Sequence, residues 1–347
     1  MNSIVREDLI EICKENLDWA QLSNKNILIT GANGILPSYM IETILMLKEL
    51  NIIHNIQLLA LVRNKFKAEN RFQDYLKDNC IKFIIQDVCD PINIPEKIDI
   101  IIHAASQASP KYYGIDPVGT LSPNIFGTTN LLKLAKEKCV KNFIFFSSAE
   151  VYGNLQNKKA IKETDFGSLD PLNIRSCYAE SKRMGENICS SWHSQFNVPI
   201  KIIRPFHTYG PGMLIDDGRI FADFVFSIIN NQNIVIKSDG TARRAYCYLK
   251  DAIIAYFYVL LMGEFGEAYN VGNPYQEYNV KELANILVNL FPEKSLLIET
   301  NPLFSSTSYL ASKVNQFLPD TSKIEALGWY PKVDVKNGFK RTILSYF

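Results

Sequence analysis

Apolar residues follow two different spacings in the part of the sequence that precedes Tyr209. Near-continuous apolar runs of strand length predict six buried strands, at 26–30, 57–62, 82–85, 98–103, 142–147 and 200–204. Apolar residues spaced three and four apart predict helices, of which the clearest are 4–20, 38–50, 120–138 and 178–195. Buried strands that alternate with helices are typical of a parallel sheet covered on both faces. The pattern therefore predicts an α/β fold with a doubly wound parallel sheet.

The spacing changes after Tyr209, where proline, glycine and short mixed segments replace the strand–helix alternation. An alternating strand is predicted at 233–237, and helices at 280–290 and 321–327. The stretch 269–278 is loop-like, and we expect it only to pack this region. We interpret the region as a smaller, mixed lobe on the carboxyl edge of the sheet.

Charge and cysteine content narrow the classes of partner. The 37 basic residues nearly cancel the 36 acidic ones, so no global field attracts nucleic acid or an anionic membrane, and we expect neither as a partner. The longest apolar run, 252–262, is too short to span a bilayer, and the charged segment 1–19 does not resemble a signal peptide. Seven scattered cysteines without a CxxC pair indicate reduced thiols in a cytoplasmic protein and no metal site.

A glycine-containing turn, TGANGILP, follows the first predicted strand and opens a helix. Gly31 permits a tight turn there, and Gly34 lets the backbone approach a pyrophosphate. Asn33 and Ile35 lie at the helix N-terminus, which supplies free N–H groups and the positive end of a dipole. Pro37 occupies the position of the usual third glycine and suits a first helical turn. The turn predicts a bound dinucleotide.

The adenosine end of that dinucleotide is expected at the second and third strands. Dinucleotide sites often carry an acid at the end of the second strand, which holds the ribose hydroxyls. Arg63 stands there instead. A positive side chain can accept the 2′-phosphate of NADP or can lie in solvent beside NAD, and both interpretations stay open. Asp87 and Val88, after the third strand, are placed to contact the adenine.

Tyr178 and Lys182 form a second motif, YAESK, at the start of a helical segment. A spacing of four residues places both side chains on one helix face. We expect the ammonium of Lys182 to lower the pKa of the Tyr178 phenol, so that the phenolate acts as a general base. Ser148, at the end of the fifth strand, can hydrogen-bond the same substrate hydroxyl. The three residues predict hydride transfer from a secondary alcohol.

Further motifs occur in order: HAAS at 103–106, SSAEVYG at 147–153 and RPFHTYGP at 204–211. Together with the glycine turn and YAESK, they resemble the extended short-chain dehydrogenase/reductase family of NAD-dependent sugar epimerases and dehydratases. The resemblance implies an NAD-binding Rossmann domain, in which Ala104, Ala105, Ser106 and Lys182 contact the cofactor. It also implies oxidation at C4 of a nucleotide-linked sugar, chemistry on the ketone, and return of the hydride.

The resemblance also divides the chain into three parts. These are a helical extension over 1–24, the NAD-binding domain over 25–206, and a substrate lobe over 207–347, some of whose segments return to the sheet. A homodimer is implied, formed by the helices 120–138 and 178–195. Both helices are expected to carry more apolar residues than one sheet face needs, for example Leu131, Leu132, Leu134 and Ala135.

Longer stretches resemble the UDP-glucuronate decarboxylases of this family. They are HAASQASPKYYGIDPVGTLSPNIFGTTNLLKLAK from His103, RSCYAESKR from Arg175, YGPGMLIDDGRIFADF from Tyr209, and SDGTARRAYCY from Ser238. By this correspondence the substrate-binding residues are Ser109, Tyr113, Asn124, His207, Arg219 and Arg244. Three positions depart from the pattern, since Ala149 replaces a Ser, His207 replaces an Asn and Gly212 replaces an Arg. The Ser148–Ala149 sequence instead resembles the 4-epimerases, although Glu150 does not.

Glu150 completes the expected catalytic set of Ser148, Tyr178 and Lys182. A glucuronate oxidised at C4 is a β-keto acid, which loses CO₂ without a metal, and a nearby carboxylate can serve protonation at C5. Because an unpaired buried carboxylate is costly, we expect a partner for Glu150, with Arg244 the candidate. Ala149 stands where 4,6-dehydratases carry an Asp, which argues against dehydration.

The favoured function is therefore a UDP-glucuronate decarboxylase-like activity that uses bound NAD. A nucleotide-sugar 4-epimerase is the second hypothesis, and a 4,6-dehydratase is less favoured. A hypothesis from a different class of function is a dinucleotide-sensing protein without catalysis. The intact set of Ser148, Tyr178 and Lys182 weighs against a sensor, because sensing needs no proton transfer.

Overall fold

A computed structural model describes residues 1–76, 78–155, 160–214, 216–300 and 316–347. Thirteen strands lie in these residues: β1 (Asn26–Thr30), β2 (Gln57–Val62), β3 (Ile81–Ile85), β4 (Ile100–His103), β5 (Asn142–Phe146), β6 (Ile200–Pro205), β7 (His207–Tyr209), β8 (Ile234–Ile236), β9 (Arg243–Tyr248), β10 (Ala268–Val271), β11 (Glu277–Asn279), β12 (Ile298–Thr300) and β13 (Gln316–Phe317). Eleven α-helices lie in the same residues: α1 (Ser3–Cys13), α2 (Ile35–Glu49), α3 (Lys65–Arg71), α4 (Pro117–Ser122), α5 (Thr128–Lys138), α6 (Cys177–Phe196), α7 (Ile220–Ile229), α8 (Leu249–Met262), α9 (Val280–Asn289), α10 (Ser322–Glu325) and α11 (Val335–Leu344).

Seven strands form one sheet in the order β10–β6–β5–β4–β1–β2–β3, and all neighbours in it are parallel. The six predicted strands are in this sheet, and no end is displaced by more than two residues. The chain runs outward from β1 to β3 and then returns to β4 on the other side of β1. Thr30 and His103 lie side by side at this reversal, which is where doubly wound sheets bind their ligands. The predicted fold class is confirmed.

Helices cover both faces of the sheet. One face packs against α1, α2 and α8, with buried residues such as Leu9, Ile44 and Ile253. The other face packs against α5 and α6, through residues such as Leu131 and Cys189. The apolar run expected at 252–262 lies within α8. Among the described helices, none combines the length and the hydropathy that crossing a membrane requires.

The apolar residues of α5 that suggested a dimer interface are buried inside the chain. At most 3% of their surface is exposed, and they form one cluster with Phe143 and Phe145 of β5: Leu131, Leu132, Leu134 and Ala135. The expectation that these residues exceed the needs of one sheet face is wrong. The apolar side of the helix is thus used within the chain, in the cluster that covers this face of the sheet.

The predicted helix 120–138 is three segments in the structure. It begins earlier, at Pro117, where the Asp116 side chain accepts a hydrogen bond from the Gly119 N–H at 3.0 Å. A π-helical turn, Pro123–Gly127, then separates α4 from α5. Because proline has no N–H and its ring displaces the preceding turn, the hydrogen-bond spacing widens at Pro123.

The predicted helix 4–20 is shorter than expected. It ends at Cys13, and a 3-10 turn, Trp19–Leu22, follows after a break. Asn16 and Asp18 lie in this part of the chain, and such side chains favour turns because they compete for backbone hydrogen bonds.

We had expected the stretch 269–278 to be a loop, but it contains two strands. β10 pairs in parallel with β6 and is the edge strand of the large sheet, and β11 pairs antiparallel with β9. Both strands have four residues or fewer, which is too short for an alternating pattern to be recognised.

The smaller lobe contains a mixed sheet in which β7, β11 and β13 each pair with β9. The helices α7, α9 and α11 pack together beside it around a second core, and β8 pairs in parallel with β12. The predictions at 233–237 and 280–290 correspond to β8 and α9, and 321–327 contains the shorter α10. The chain enters the lobe at His207, and α8 and β10 return to the large sheet.

Candidate active site

The turn between β1 and α2 closely approaches the end of β4. Gly31 has a φ of +64°, and a Cβ atom at this position would lie 2.7 Å from the Cα of Ala105. The Ala105 N–H donates to Thr30 Oγ1 at 3.1 Å. Since both the backbone conformation and the contact exclude a side chain at Gly31, glycine is required. The glycine turn and the HAAS motif, which includes Ala104, therefore meet at the strand-order reversal.

The N-terminus of α2 begins beside this contact. Gly34 is the N-cap residue and has no side chain to accept the N–H groups of the first turn. Asn33 precedes it and Ile35 begins the helix, so both lie at the positive end of the helix dipole. Pro37 is the third helical residue, where its missing N–H costs no helical hydrogen bond. The hydroxyl of Ser106 is buried and has no partner among the described residues. These features fit the phosphates and a polar group of a dinucleotide.

His103 holds this region together and is not placed to transfer protons. Its Nδ1 lies 2.9 Å from Thr30 Oγ1, and its Nε2 lies 3.1 Å from Thr128 Oγ1. Burial, together with the charge of Lys182, lowers the pKa of His103 to about 3. A neutral imidazole therefore joins β1, β4 and α5.

Arg63 and Asp87 lie at the carboxyl ends of neighbouring strands and form an ion pair. Arg63 Nη1 is 3.7 Å from Asp87 Oδ2, and the two side chains are 68% and 36% exposed. Val88 is buried, and a Cβ atom on Gly127 would lie 2.8 Å from its Cγ1. The region expected to bind adenosine thus presents one charge of each sign.

Tyr178, the second residue of α6, is buried, and Ser148 lies near enough to lower the pKa of the phenol by hydrogen bonding. The Tyr113 ring stacks on it with 5.1 Å between centroids. Lys182 Nζ lies 5.8 Å from the centroid of the Tyr178 ring and donates to the Phe146 carbonyl at 2.6 Å. The structure therefore brings the three predicted residues together at the end of β5.

The expected lowering of the Tyr178 pKa by Lys182 is wrong for this arrangement. Burial raises the pKa of Tyr178 to about 12, whereas the hydrogen bond from Ser148 and the charge of Arg219 oppose the increase and Glu150 adds to it. Burial also lowers the pKa of Lys182 to about 7. Since both groups are enclosed, desolvation of the charged form is the largest cause of both shifts.

Glu150 has a partner, but it is not the one we expected. Arg175 forms two hydrogen bonds to its carboxylate, each of 2.9 Å, and the Arg175 guanidinium lies 5.4 Å from the centroid of the Tyr113 ring. Arg244 instead donates to the Arg243 carbonyl at 2.7 Å and lies 5.7 Å from the centroid of Phe317. The cause is the fold, because the segment before α6 lies beside the turn that carries Glu150.

Two of the predicted substrate residues join separate segments of the chain. Ser109 Oγ donates to the Asp217 carbonyl at 2.5 Å, and Arg219 Nη2 donates to the Ala108 carbonyl at 3.3 Å. Tyr113 donates to the same Ala108 carbonyl at 3.1 Å. The segment after β4 and the segment before α7 are therefore held together beside Tyr178.

His207 lies between the two sheets, at the start of β7. Its Nδ1 is buried and has no partner among the described residues. Burial and the charges of Arg244 and Arg219 hold the pKa of His207 well below its ordinary value, so the imidazole is neutral. Because both arginines lie near enough to affect this pKa, His207, Arg219 and Arg244 belong to one region.

Asn124 lies in the π-helical turn and is fully buried against α6. Its Nδ2 donates to Ser181 Oγ at 2.9 Å and to the Thr120 carbonyl at 3.2 Å. Its Oδ1 has no partner within the described ranges. Asn124 therefore contacts the helix that carries Tyr178 and Lys182.

Three polar residues of the site were missed from the sequence: Arg175, Glu186 and Arg204. Arg175 lies three residues before Tyr178, and Glu186 lies four residues after Lys182, so helical spacing could have indicated Glu186. Arg204 is the first residue of RPFHTYGP, and nothing in its local sequence indicates its partner.

A family model described as the NAD dependent epimerase/dehydratase family matches residues 27–272, which is more than half of the chain. The chain belongs to this family. The resemblance inferred from the motifs is confirmed. The matched region of this epimerase/dehydratase family member extends from β1 through β10 and includes the Tyr178–Lys182 pair.

Curated relatives of this family member include UDP-glucuronic acid decarboxylases. UDP-glucuronic acid decarboxylase 6 of Arabidopsis thaliana is 32% identical over 321 residues, and the match covers 91% of this chain and 87% of that protein. UDP-glucuronic acid decarboxylase 1 of Xenopus tropicalis is 29% identical, and the match covers 93% of this chain and 72% of that protein. The similarity thus extends over both the large sheet and the smaller lobe.

Solved structures of similar fold include two epimerases. The UDP-glucuronic acid 4-epimerase of Bacillus cereus, in complex with UDP-glucuronic acid and NAD, has a TM-score of 0.77 and 23% identity and covers 92% of this chain and 98% of its own. An epimerase of Methanothermobacter thermautotrophicus has a TM-score of 0.81 and 21% identity, and the match covers 99% of this chain and 95% of that one. Because these identities are low, the similarity confirms the fold of this chain and nothing finer.

Proposed function

We propose that this chain oxidises a nucleotide sugar at C4 with bound NAD and decarboxylates UDP-glucuronate. The observation that carries the proposal is that Ser148 and Tyr178 lie together beside the Glu150–Arg175 ion pair. The first pair can move a proton at a sugar hydroxyl, and the second holds a carboxylate next to it. The decarboxylases among the curated relatives support the same reaction.

NAD is the proposed cofactor. Gly31, Gly34 and the first turn of α2 would hold its phosphates, Ser106 and Lys182 would contact its nicotinamide half, and Asp87 would lie at the adenosine. When bound, NAD supplies the hydride acceptor at C4 and the hydride donor after decarboxylation. The Asp87 carboxylate beside Arg63 would repel a 2′-phosphate, which favours NAD over NADP.

The chain's own groups then account for the proton transfers. The Tyr178 phenol, beside Ser148, first loses its proton to solvent, and the phenolate takes the C4 hydroxyl proton as that carbon is oxidised. In the resulting β-keto acid, the C5–C6 bond breaks, its electron pair enters the ketone as an enolate, and CO₂ leaves. Glu150, once protonated from solvent, or a water that it holds, supplies a proton to C5, and Tyr178 returns its proton to the C4 oxygen.

The substrate would lie between the sheet and the smaller lobe. Ser109, Tyr113 and Arg219 line the side nearest Tyr178, and Asn124 supports it from behind. His207 and Arg244 lie on the lobe side, where the positive charge of Arg244 suits the diphosphate of a nucleotide sugar.

A nucleotide-sugar 4-epimerase is the second candidate. Glu150 is fully paired with Arg175, and a 4-epimerase needs no carboxylate that acts at C5. A 4,6-dehydratase is disfavoured because Ala149, buried at the start of the turn after Ser148, offers no acid.

Incubation with UDP-glucuronate in D₂O, followed by NMR, tests the proposal. We expect CO₂ and a UDP-pentose that carries deuterium at C5. A six-carbon C4 epimer without deuterium would establish the epimerase instead, and binding of NAD without any sugar turnover would support the sensor.

A homodimer in the cytoplasm is part of the proposal. Three exposed apolar side chains lie on α4, the π-helical turn and α6, with 67%, 56% and 48% of their surfaces accessible: Val118, Phe126 and Met184. These side chains, and not the buried ones of α5, suit a second copy of the chain. All seven cysteines have free thiols, which suits a reducing compartment.

A further inference from the structure

A buried ion pair lies beside the segment of α6 that carries Lys182. Glu186 is one helical turn after Lys182, and Arg204 is on β6. Arg204 Nε donates to Glu186 Oε1 at 2.8 Å, and Arg204 Nη2 donates to Glu186 Oε2 at 2.6 Å. The side chains are 7% (Arg204) and 14% (Glu186) exposed. A bidentate pair of this kind fixes both the distance and the plane of the carboxylate.

The pair is hydrogen-bonded to both ends of the turn that carries Ser148. Ser147, directly before Ser148, donates from its hydroxyl to Glu186 Oε1. At the other end, Arg204 Nη1 donates to the Tyr152 hydroxyl oxygen at 2.9 Å. The positions of Ser148 and of the residues after it are thereby tied to one ion pair.

Glu186 also supplies a negative charge near Lys182. Burial lowers the pKa of Lys182 to about 7, whereas Glu186, followed by Cys189, acts in the opposite direction. The Cys189 thiol is itself neutral, because burial raises its pKa well above the ordinary value.

Among the residues that the structure describes, the other groups that face Lys182 carry no negative charge. His103 on β4 is a neutral imidazole, and Tyr178 on α6 is a neutral phenol, with a pKa of about 12. On β5, Lys182 meets the Phe146 carbonyl and the Phe145 ring. On β6, Arg204 is cationic. Glu186 is therefore the carboxylate that opposes the loss of a proton from Lys182.

We propose that Glu186, clamped by Arg204, is a positioning residue that orders the turn bearing Ser148 and keeps Lys182 protonated. Its contacts are independent of any substrate. The inference rests on the proposed function only in taking Ser148 and Lys182 as catalytic residues.

The direct test is the titration of Lys182 in the full-length protein, followed by NMR of [¹³Cε]lysine. The signal is assigned by its loss in Lys182→Arg. In Glu186→Gln, which keeps the shape of the side chain but removes the charge, we expect the titration midpoint to fall by about one pH unit. Glu186→Asp should retain the wild-type midpoint, and so should Glu180→Gln, a change to another carboxylate of α6.

A double variant covers the case in which Glu186→Gln does not fold. Removing Glu186 alone leaves Arg204 buried and uncompensated, which destabilises a protein strongly. Glu186→Gln/Arg204→Gln removes both charges, and it is compared with Arg204→Gln, because loss of the Arg204 cation alone should raise the Lys182 midpoint. The midpoint of the double variant should lie below that of Arg204→Gln by about one pH unit. A wild-type midpoint in folded Glu186→Gln, or equal midpoints in Arg204→Gln and the double variant, would overturn the inference.

The pH profile of kcat/KM supplies a second readout that a purely structural role would not move. Because Lys182 would lose its proton at lower pH, the alkaline limb should shift to lower pH in Glu186→Gln and stay unchanged in Glu180→Gln. The NMR titration needs no turnover, so failure of the proposed reaction would leave it interpretable. An unshifted midpoint together with normal decarboxylation would refute only this inference.

Discussion

Tyr178, Lys182 and His103 are buried titratable residues, and burial shifts each pKa towards the neutral form. The values are about 12 for the phenol, about 7 for the ammonium and about 3 for the imidazolium. Individual contacts oppose these shifts, namely the hydrogen bond from Ser148 to Tyr178 and the charge of Glu186 near Lys182. At the scale of single residues, proton transfer at the site thus depends on few neighbours.

Replacing Tyr178 with Phe should remove the proton acceptor and leave the ring that stacks on Tyr113. We expect kcat to fall by about two to four orders of magnitude, which is the range for loss of a general acid–base group. Affinity for the nucleotide sugar, measured by calorimetry, should stay close to wild type. A fall in kcat of less than tenfold would show that another group is the base.

Replacing Glu150 with Gln should have two separable effects. Because Glu150 raises the pKa of Tyr178, its loss should move the acid limb of the kcat/KM profile to lower pH. Turnover of UDP-glucuronate should also fall, since the Glu150 carboxylate that serves protonation at C5 is lost. Asp170→Asn, an exposed change in the loop before α6, is the control. An unshifted acid limb with normal turnover would make Glu150 only a partner for Arg175.

Two close approaches between elements shape the site. The first is the contact of the β1–α2 turn with the end of β4, at Gly31. The second is that of α6 with the π-helical turn, where a Cβ atom on Gly185 would lie 2.4 Å from Phe145 Cζ and 3.0 Å from the Asn124 carbonyl oxygen. Each glycine allows two backbones to meet, and so sets the distance between cofactor-binding and catalytic groups.

Gly31→Ala should weaken binding of NAD at least tenfold, because the new methyl group would displace the turn from Ala105. Gly212→Ala is a matched control, since Gly212 also has a positive φ, +80°, but no atom of the described residues lies within 4 Å of its Cβ position. Fluorescence titration with NADH would measure both affinities. Equal affinities in the two variants would show that backbone strain, and not the contact, matters at Gly31.

At the scale of the whole molecule, the N-terminal helix joins the two lobes. The buried carboxylate of Asp8 accepts hydrogen bonds from Tyr39 of α2, Tyr248 of β9 and Arg341 of α11, at 3.2, 2.6 and 2.8 Å. The segment expected as an extension is therefore part of the packed structure. The exposed apolar side chains proposed to form the dimer lie elsewhere, on α4, the π-helical turn and α6.

That surface predicts the outcome of a light-scattering experiment. The wild type should be a dimer at micromolar concentration, and Phe126→Glu should convert it to a monomer, because a buried charge in an interface is costly. Leu297→Glu changes a similarly exposed apolar residue of the smaller lobe and should leave the dimer intact. A wild-type monomer would refute the proposed assembly.

The sequence was enough to predict the large sheet and the residues at its carboxyl edge. Six of its seven strands are mainly apolar runs of four to six residues, so each is visible separately, although the edge strand β3 is only partly buried. Gly31, Ser148, Tyr178 and Lys182 follow such runs or open helices, and short-range spacing places them. The sequence did not predict β10, which is too short to be recognised, or the break at Pro123, which interrupts a periodic helical pattern.

Tertiary structure alone decided which charges meet. Glu150 pairs with Arg175 across 25 residues and Glu186 with Arg204 across 18, because sheet order and helix packing bring these segments together. It also decided that Leu131 and its neighbours are buried, and that the pKa of Tyr178 increases although Lys182 lies one turn away. The physical reason is that desolvation depends on everything that surrounds a group, whereas spacing along a helix reports only its nearest neighbours.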